Sequence, residues 1–175
     1  MSYFLKKAGI RTIFDYDIDP ETAQEYAESV EKYGNDVRNT WSVDVTMLET
    51  LFTQLSHYKL VTNTDDNSTY ITVGKDSKTL AEWIDDLLED IVFVLTESDY
   101  EKNLNDELDE TLKTYTDCYH STTDDDGNIV QFTDHIDSPH VVFYLTRLRA
   151  VEDDKIRTAA DMWVKWSIIA PYVWW

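Results

Sequence analysis

A predominantly helical α+β fold with a small antiparallel sheet is what the patterning of this 175-residue chain predicts, and three observations carry that prediction. Apolar residues recur at helical spacing in five clear stretches. Three short runs rich in β-branched residues lie between or before them. The composition, 42% hydrophobic and 13% aromatic, is that of a chain that folds rather than one that stays disordered. At this length a single domain spanning residues 1–175 is the default, with roughly 70% of the unfolded chain's surface buried on folding. No internal repeat or low-complexity linker interrupts it.

In chain order, Ile10 to Ile18 reads as a first strand. Asp19 then stands as an N-cap before Pro20, and Ala23, Tyr26, Val30 and Tyr33 form a helical stripe that Gly34 ends. A second helix follows from Val45, Leu48, Leu51, Phe52, Leu55 and Tyr58, with Ser42 or Asp44 as its cap. Asn63 to Ser68 is turn-rich, and Thr69 to Val73 predicts a strand ending at Gly74. Ser77 is positioned to cap a third helix carrying Leu80, Trp83, Ile84, Leu87, Leu88, Ile91, Val92 and Leu95. After a break near Glu97 and Ser98, Tyr100, Leu104, Leu108, Leu112 and Tyr115 predict a fourth. Asp124 to Asn128 is a turn that leads into a strand at Ile129 to Phe132. Ser138-Pro139 starts a segment, Val141 to Leu145, that is as strand-like as helical and is assigned to helix; a last helix runs from Glu152 to Ile169 and stops at Pro171.

Charge dominates the functional reading. Thirty-five Asp and Glu against fifteen Lys and Arg leave a net charge of -20. Such a field keeps a protein soluble and steers it toward basic surfaces, while nucleic acid and anionic lipid repel it. No run approaches the ~18 apolar residues of a bilayer span, and the start of the chain lacks the apolar stretch of a secretory signal. The one cysteine, Cys118, excludes an internal disulfide framework and fits a reducing compartment, with cytoplasm the simplest expectation.

The acids concentrate between Glu82 and Glu110, where twelve of them face Lys102 alone. On a helix, Glu82, Asp86 and Asp90 form a row about 6 Å apart, and Asp85 and Glu89 form a second row beside it. Asp99, Asp106, Asp109 and Glu110 continue the acidity on the next helix. Carboxylates on rigid helices can present the charge pattern of a nucleic-acid strand, so these nine residues are candidate contacts to a basic nucleic-acid-binding protein. The plain alternatives are a solvated helix face and a host whose proteins are generally acidic. In composition the chain resembles the small acidic inhibitors of anti-restriction or anti-CRISPR type encoded by phages and mobile elements. That resemblance implies a non-catalytic DNA mimic that occludes its target. An immunity or antitoxin protein neutralising a basic toxin would use the same electrostatics in a single patch with aromatic anchors, about 800 Å² in area.

Other constellations are weaker. Cys118, His120, His135 and His140 could supply four metal ligands to a metal-dependent enzyme, but their spacing fits no recognised zinc framework. Asp124 to Ile129 matches the middle of an EF-hand loop, yet Thr122 and Thr133 stand where its terminal carboxylates belong. With four glycines and no Walker loop, nucleophile elbow or His-Glu-x-x-His, the chain is expected to be no enzyme and to need no cofactor. Trp163 and Trp166 are expected in the core. Trp174 and Trp175, beside the least acidic region, are candidate contacts to a homodimer mate or another partner.

Overall fold

Helix signals that agree with one another place most of the chain. The computed structural model describes residues 3–12, 20–33, 43–62, 70–114, 119–123, 129–133 and 138–173. It contains helices α1 (Tyr3–Lys7), α2 (Pro20–Tyr33), α3 (Val43–Val61), α4 (Leu80–Leu95), α5 (Asp99–Thr114) and α6 (Pro139–Val173). The strands are β1 (Tyr70–Val73), β2 (Asp76–Thr79), β3 (Tyr119–Thr123) and β4 (Ile129–Thr133). The predicted class holds, although its sheet is two separate antiparallel hairpins, β1-β2 and β3-β4. Two compact units divide the chain, one of Met1–Thr96 with Thr158–Trp175 and one of Glu97–Arg157, so α6 contributes residues to both.

The first unit is built around α4. Leu80, Trp83, Ile84, Leu87 and Ile91 are buried on one face of that helix, together with Leu48, Leu51, Phe52 and Leu55 of α3 and Met162, Ile169 and Val173 of α6. Burial of each such side chain contributes about 1.5–3 kcal/mol. Helix α1 adds Leu5 and stops in a Schellman arrangement: Ile10 N–H donates to Leu5 O, Gly9 N–H donates to Lys6 O, and Gly9 takes φ 73°. Leu5 and Ile10, the two residues that flank this cap, are both buried. Hairpin β1-β2 pairs Val73 with Asp76 across Gly74 and Lys75; Gly74 alone has positive φ (64°), as a type II′ turn requires. The Trp83 indole N–H donates to Ile71 O at 2.8 Å and fastens the hairpin to α4.

This hairpin corrects the Ser77 cap. Ser77 lies in β2 opposite Thr72, and the N-cap of α4 is Thr79. Thr79 Oγ1 accepts from Glu82 N–H at 3.3 Å while the Glu82 carboxylate accepts from Thr79 N–H at 2.8 Å, a complete capping box.

In the second unit, Ser98 and Glu101 form the same reciprocal cap at the head of α5, with N–H to oxygen distances of 2.8 and 3.1 Å. Leu104 and Leu108 are its buried residues. Hairpin β3-β4 pairs Tyr119 with Thr133 and Thr123 with Ile129. The ambiguous stretch from Val141 to Leu145 is helix, because burial follows the helical period: Val141 is buried, Tyr144 and Leu148 are half-buried, and Val142, Phe143 and Leu145 are exposed. Nor do two helices occupy this end of the chain. Helix α6 is continuous over 35 residues and runs through Pro171, which was expected to end it. Proline forfeits one hydrogen bond, but the buried Ile169 and Val173 on either side hold the last turn in the core. Residue Ile10 and the two that follow form no strand, while 13–18, Asp19, Gly34, Ser42 and the turns at 63–68 and 124–128 lie outside the described residues.

Candidate partner-binding surface

Whether a carboxylate can meet a partner depends on what it already holds. On α4 the two rows expected to be unpaired are largely occupied by lysines of α3, β2 and α6. Asp85 pairs with Lys59 of α3, Asp86 with Lys78 of β2 at 2.5 Å, and Asp90 with Lys165 of α6 at 2.5 Å. Lys78 Nζ also stands 5.1 Å from the centre of the Trp83 ring, and its pKa is raised, first by the hydrogen bond to Asp86. Glu82 is engaged in the cap, and the Thr79 backbone N–H holds its carboxyl below the usual carboxylate range. Of the five acids on α4, Glu89 alone is exposed without an ion pair or cap among the described residues. In the row spaced at i, i+4 and i+8, Glu82 closes the cap while Asp86 and Asp90 tie α4 to β2 and α6; in the second row Asp85 ties it to α3.

Helix α5 is different. Its buried stripe through Leu104 and Leu108 leaves Asp99, Asp106, Glu107, Asp109 and Glu110 exposed. Asp99, Asp106 and Glu110 follow one line on the face opposite that stripe, spaced about 10 Å and then about 6 Å, with Asn103 in the gap. Of these five exposed acids, Glu110 alone forms an ion pair among the described residues, with Lys113 at 2.6 Å, an exposed pair that raises the lysine's pKa chiefly through that hydrogen bond. Glu101 has turned inward: its carboxylate meets Lys155 at 2.7 Å, with side-chain exposures of 14% and 18%. Burial works to raise the Glu101 carboxyl, and the hydrogen bonds from Lys155 and Ser98 overcome it, holding the group low. Helix α2 adds exposed Glu25, Glu28 and Glu31 in the first unit.

An aromatic and cationic group in the second unit was not anticipated. Arg147 donates to the Tyr100 hydroxyl at 3.1 Å and lies 4.4 Å from the centre of the Phe143 ring, which meets Tyr144 edge-on at 5.3 Å. Tyr100 and Phe143 are each about half exposed. The sequence signal was the aromatic at the start of each helix; their meeting through Arg147 joins residues 47 apart.

Of the metal-ligand candidates, Cys118 and His135 lie outside the described residues, as does the side chain of His120, and His140 is exposed on the first turn of α6. Among the described residues no three His, Cys, Asp or Glu side chains gather as a metal site would require. Trp174 and Trp175 also lie outside the described residues, whereas Trp163 and Trp166 pack against the core as expected. A groove of about 300 Å³ runs beside them between α3 and α6, lined by Leu55, Tyr58, Trp166 and Val173 with Gln54 and His57 as its polar edge. Among the described residues no helix is long and apolar enough to cross a membrane.

Compared with known protein families, with curated proteins and with solved structures, the chain matches none at a significant level.

Proposed function

We propose that this chain is a non-catalytic acidic inhibitor, of a kind phages and mobile elements encode, that acts in the cytoplasm by occupying the basic nucleic-acid-binding surface of another protein. The observation that carries this reading is the exposed face of α5, where Asp99, Asp106, Glu107 and Asp109 form no ion pair among the described residues of a chain bearing -20. Lys and Arg that normally displace counterions from phosphate would pair with these carboxylates, giving fast and salt-sensitive association. Contact through α5 replaces contact through the two α4 rows, whose aspartates have partners inside the fold.

A second reading draws support from Tyr100, Phe143 and Arg147. Aromatic anchors beside a short acidic face suit an immunity or antitoxin protein that plugs one basic active site, since such anchors supply the desolvated part of an affinity. The acid line on α5, broken at Asn103, is also less even than a strand of phosphates.

One experiment separates these readings. The intact chain and an Asp99→Lys/Asp106→Lys/Asp109→Lys variant are used as bait in lysate at low salt, and each captured protein is then challenged with duplex DNA and RNA. Mimicry predicts a nucleic-acid-handling protein that the variant fails to capture and that DNA or RNA displaces. Capture through α5 that nucleic acid does not displace supports the immunity reading. Equal capture by both baits refutes α5 as the contact surface.

A further inference from the structure

Helix α6 has a second face that the fold leaves uncovered. Val141, Met162, Ile169 and Val173 point inward and are buried. On the opposite side Thr146, Ala150, Asp153, Arg157, Ala160 and Val164 recur at alternating steps of four and three, and all six are exposed. Those steps trace one line along the helix, with Ala150, Ala160 and Val164 as its apolar positions and Asp153 and Arg157 at its middle, and a second helix can pack along such a line. This seam belongs to one uninterrupted helix, and Val142 and Ile168 extend it to a length of about 40 Å. The charge here is also unusual. Helix α6 carries Arg147, Arg149, Lys155, Arg157 and Lys165 against Glu152, Asp153, Asp154 and Asp161, a net +1 in a chain of -20.

We propose that this face is a self-association surface on which two copies of the chain pair as antiparallel helices centred on Lys155. Antiparallel pairing about that point makes the seam complementary to itself. Thr146 falls opposite Val164, Ala150 opposite Ala160, Asp153 opposite Arg157 and, along the flank, Arg149 opposite Asp161; Val142 faces Ile168 at the ends. The two-fold axis repeats every match, so four opposite-charge pairs form. Ala150 and Ala160 allow the helices to approach closely near the centre.

Alternative pairings lack this match. A parallel, in-register pair sets Asp153 against Asp153 and Arg157 against Arg157. Sliding the antiparallel pair by one heptad places Asp153 and Arg157 against Ala, Thr or Val, leaving each charge desolvated without a partner. Polar residues at seam positions fix register in this way at a cost in stability. Arg149, Asp153 and Asp161 form no ion pair among the described residues, and Arg157 meets only Asp154 in an exposed i, i+3 contact of 3.1 Å, which competes weakly. A second copy is favoured over an unrelated partner because the face supplies its own complement, and because the net +1 of α6 lessens the repulsion between two such acidic chains along it.

Sedimentation equilibrium of the intact chain over about 1 to 200 µM tests the pairing through its concentration dependence. The expected result is a monomer-dimer equilibrium. R149D and D161R should each weaken it about tenfold or more, by placing two like-charge pairs across the seam. Mixing those two variants should restore dimer as a heterodimer, because the carboxylate introduced at position 149 of one chain then meets the guanidinium introduced at position 161 of the other. If either reversal lowers helicity, V164E probes the same seam. A chain that stays monomeric throughout, a dimer that neither reversal weakens, or a mixture that does not recover overturns the proposal, the last two by placing the contact elsewhere.

Discussion

Reversing Asp90 to Lys should destabilise the protein, whereas the same change at its neighbour Glu89 should not. The two substitutions alter net charge identically and sit one residue apart on α4, so any global relief of like-charge repulsion is common to both. They differ in what they hold. Asp90 lies 2.5 Å from Lys165 with the two side chains 23% and 26% exposed, while Glu89 faces solvent without an ion pair among the described residues. Loss of a partly shielded pair costs about 1 kcal/mol or somewhat more, between the surface and buried limits. Two ammonium groups forced to about 4 Å add about 1 kcal/mol in a water-like surrounding and more as shielding falls. Together these give about 2–4 kcal/mol for Asp90→Lys, against roughly 0.5 kcal/mol or less for Glu89→Lys. Thermal melts followed by far-UV ellipticity should show Tm lowered by about 5–15 °C for the first and almost unchanged for the second. The exchange Asp90→Lys/Lys165→Asp should recover about half of the loss or more, since it rebuilds the pair with reversed polarity. Equal melting of the two single variants, or an exchange no better than Asp90→Lys alone, would refute a tie between α4 and α6 at this point.

The capping assignment predicts that Thr79→Ala costs about 1 kcal/mol in chemical denaturation and that Ser77→Ala stays within about 0.5 kcal/mol, because only Thr79 closes the capping box. Glu101 gives a pH prediction: its folded pKa lies below the unfolded value of about 4.3, so the stability it contributes is complete above that value and is lost as pH falls through the folded pKa. The difference in Tm between the native chain and Glu101→Gln should accordingly be largest near neutrality and shrink toward pH 3; a difference that is constant or grows on acidification would contradict the Lys155 contact.

What could be read in advance follows the range of the forces involved. Helices α2, α3, α4 and α5 were legible because each has an apolar stripe of at least three turns, a purely local pattern. Strands β2 and β3 were not: Asp76-Ser77-Lys78-Thr79 and Tyr119-His120-Ser121-Thr122-Thr123 show no apolar alternation, and pairing with β1 and β4 supplies what propensity lacks. Helix α1, five residues long, is too short to show a period, and the passage of α6 through Pro171 depends on core contacts at Ile169 and Val173. The acidic face was visible as composition, and the α5 acids are as exposed as it implies, but the pairing of the α4 aspartates was not legible. The lysines that engage Asp85, Asp86 and Asp90 lie 26, 8 and 75 residues away, and only the fold brings the first and last of them to α4.

The indole of Trp83, seated in the core with its N–H on Ile71 O, belongs to a chain whose six tryptophans all fall within the Met1–Thr96 and Thr158–Trp175 unit. Residues 97–157 contain tyrosine and phenylalanine but no tryptophan. Intrinsic emission excited at the red edge of the absorption band is thus a signal from one unit only, while far-UV ellipticity reports both. The protein carries its own pair of optical channels, and the coincidence or separation of the two unfolding curves measures how strongly the two units are coupled, with no label introduced.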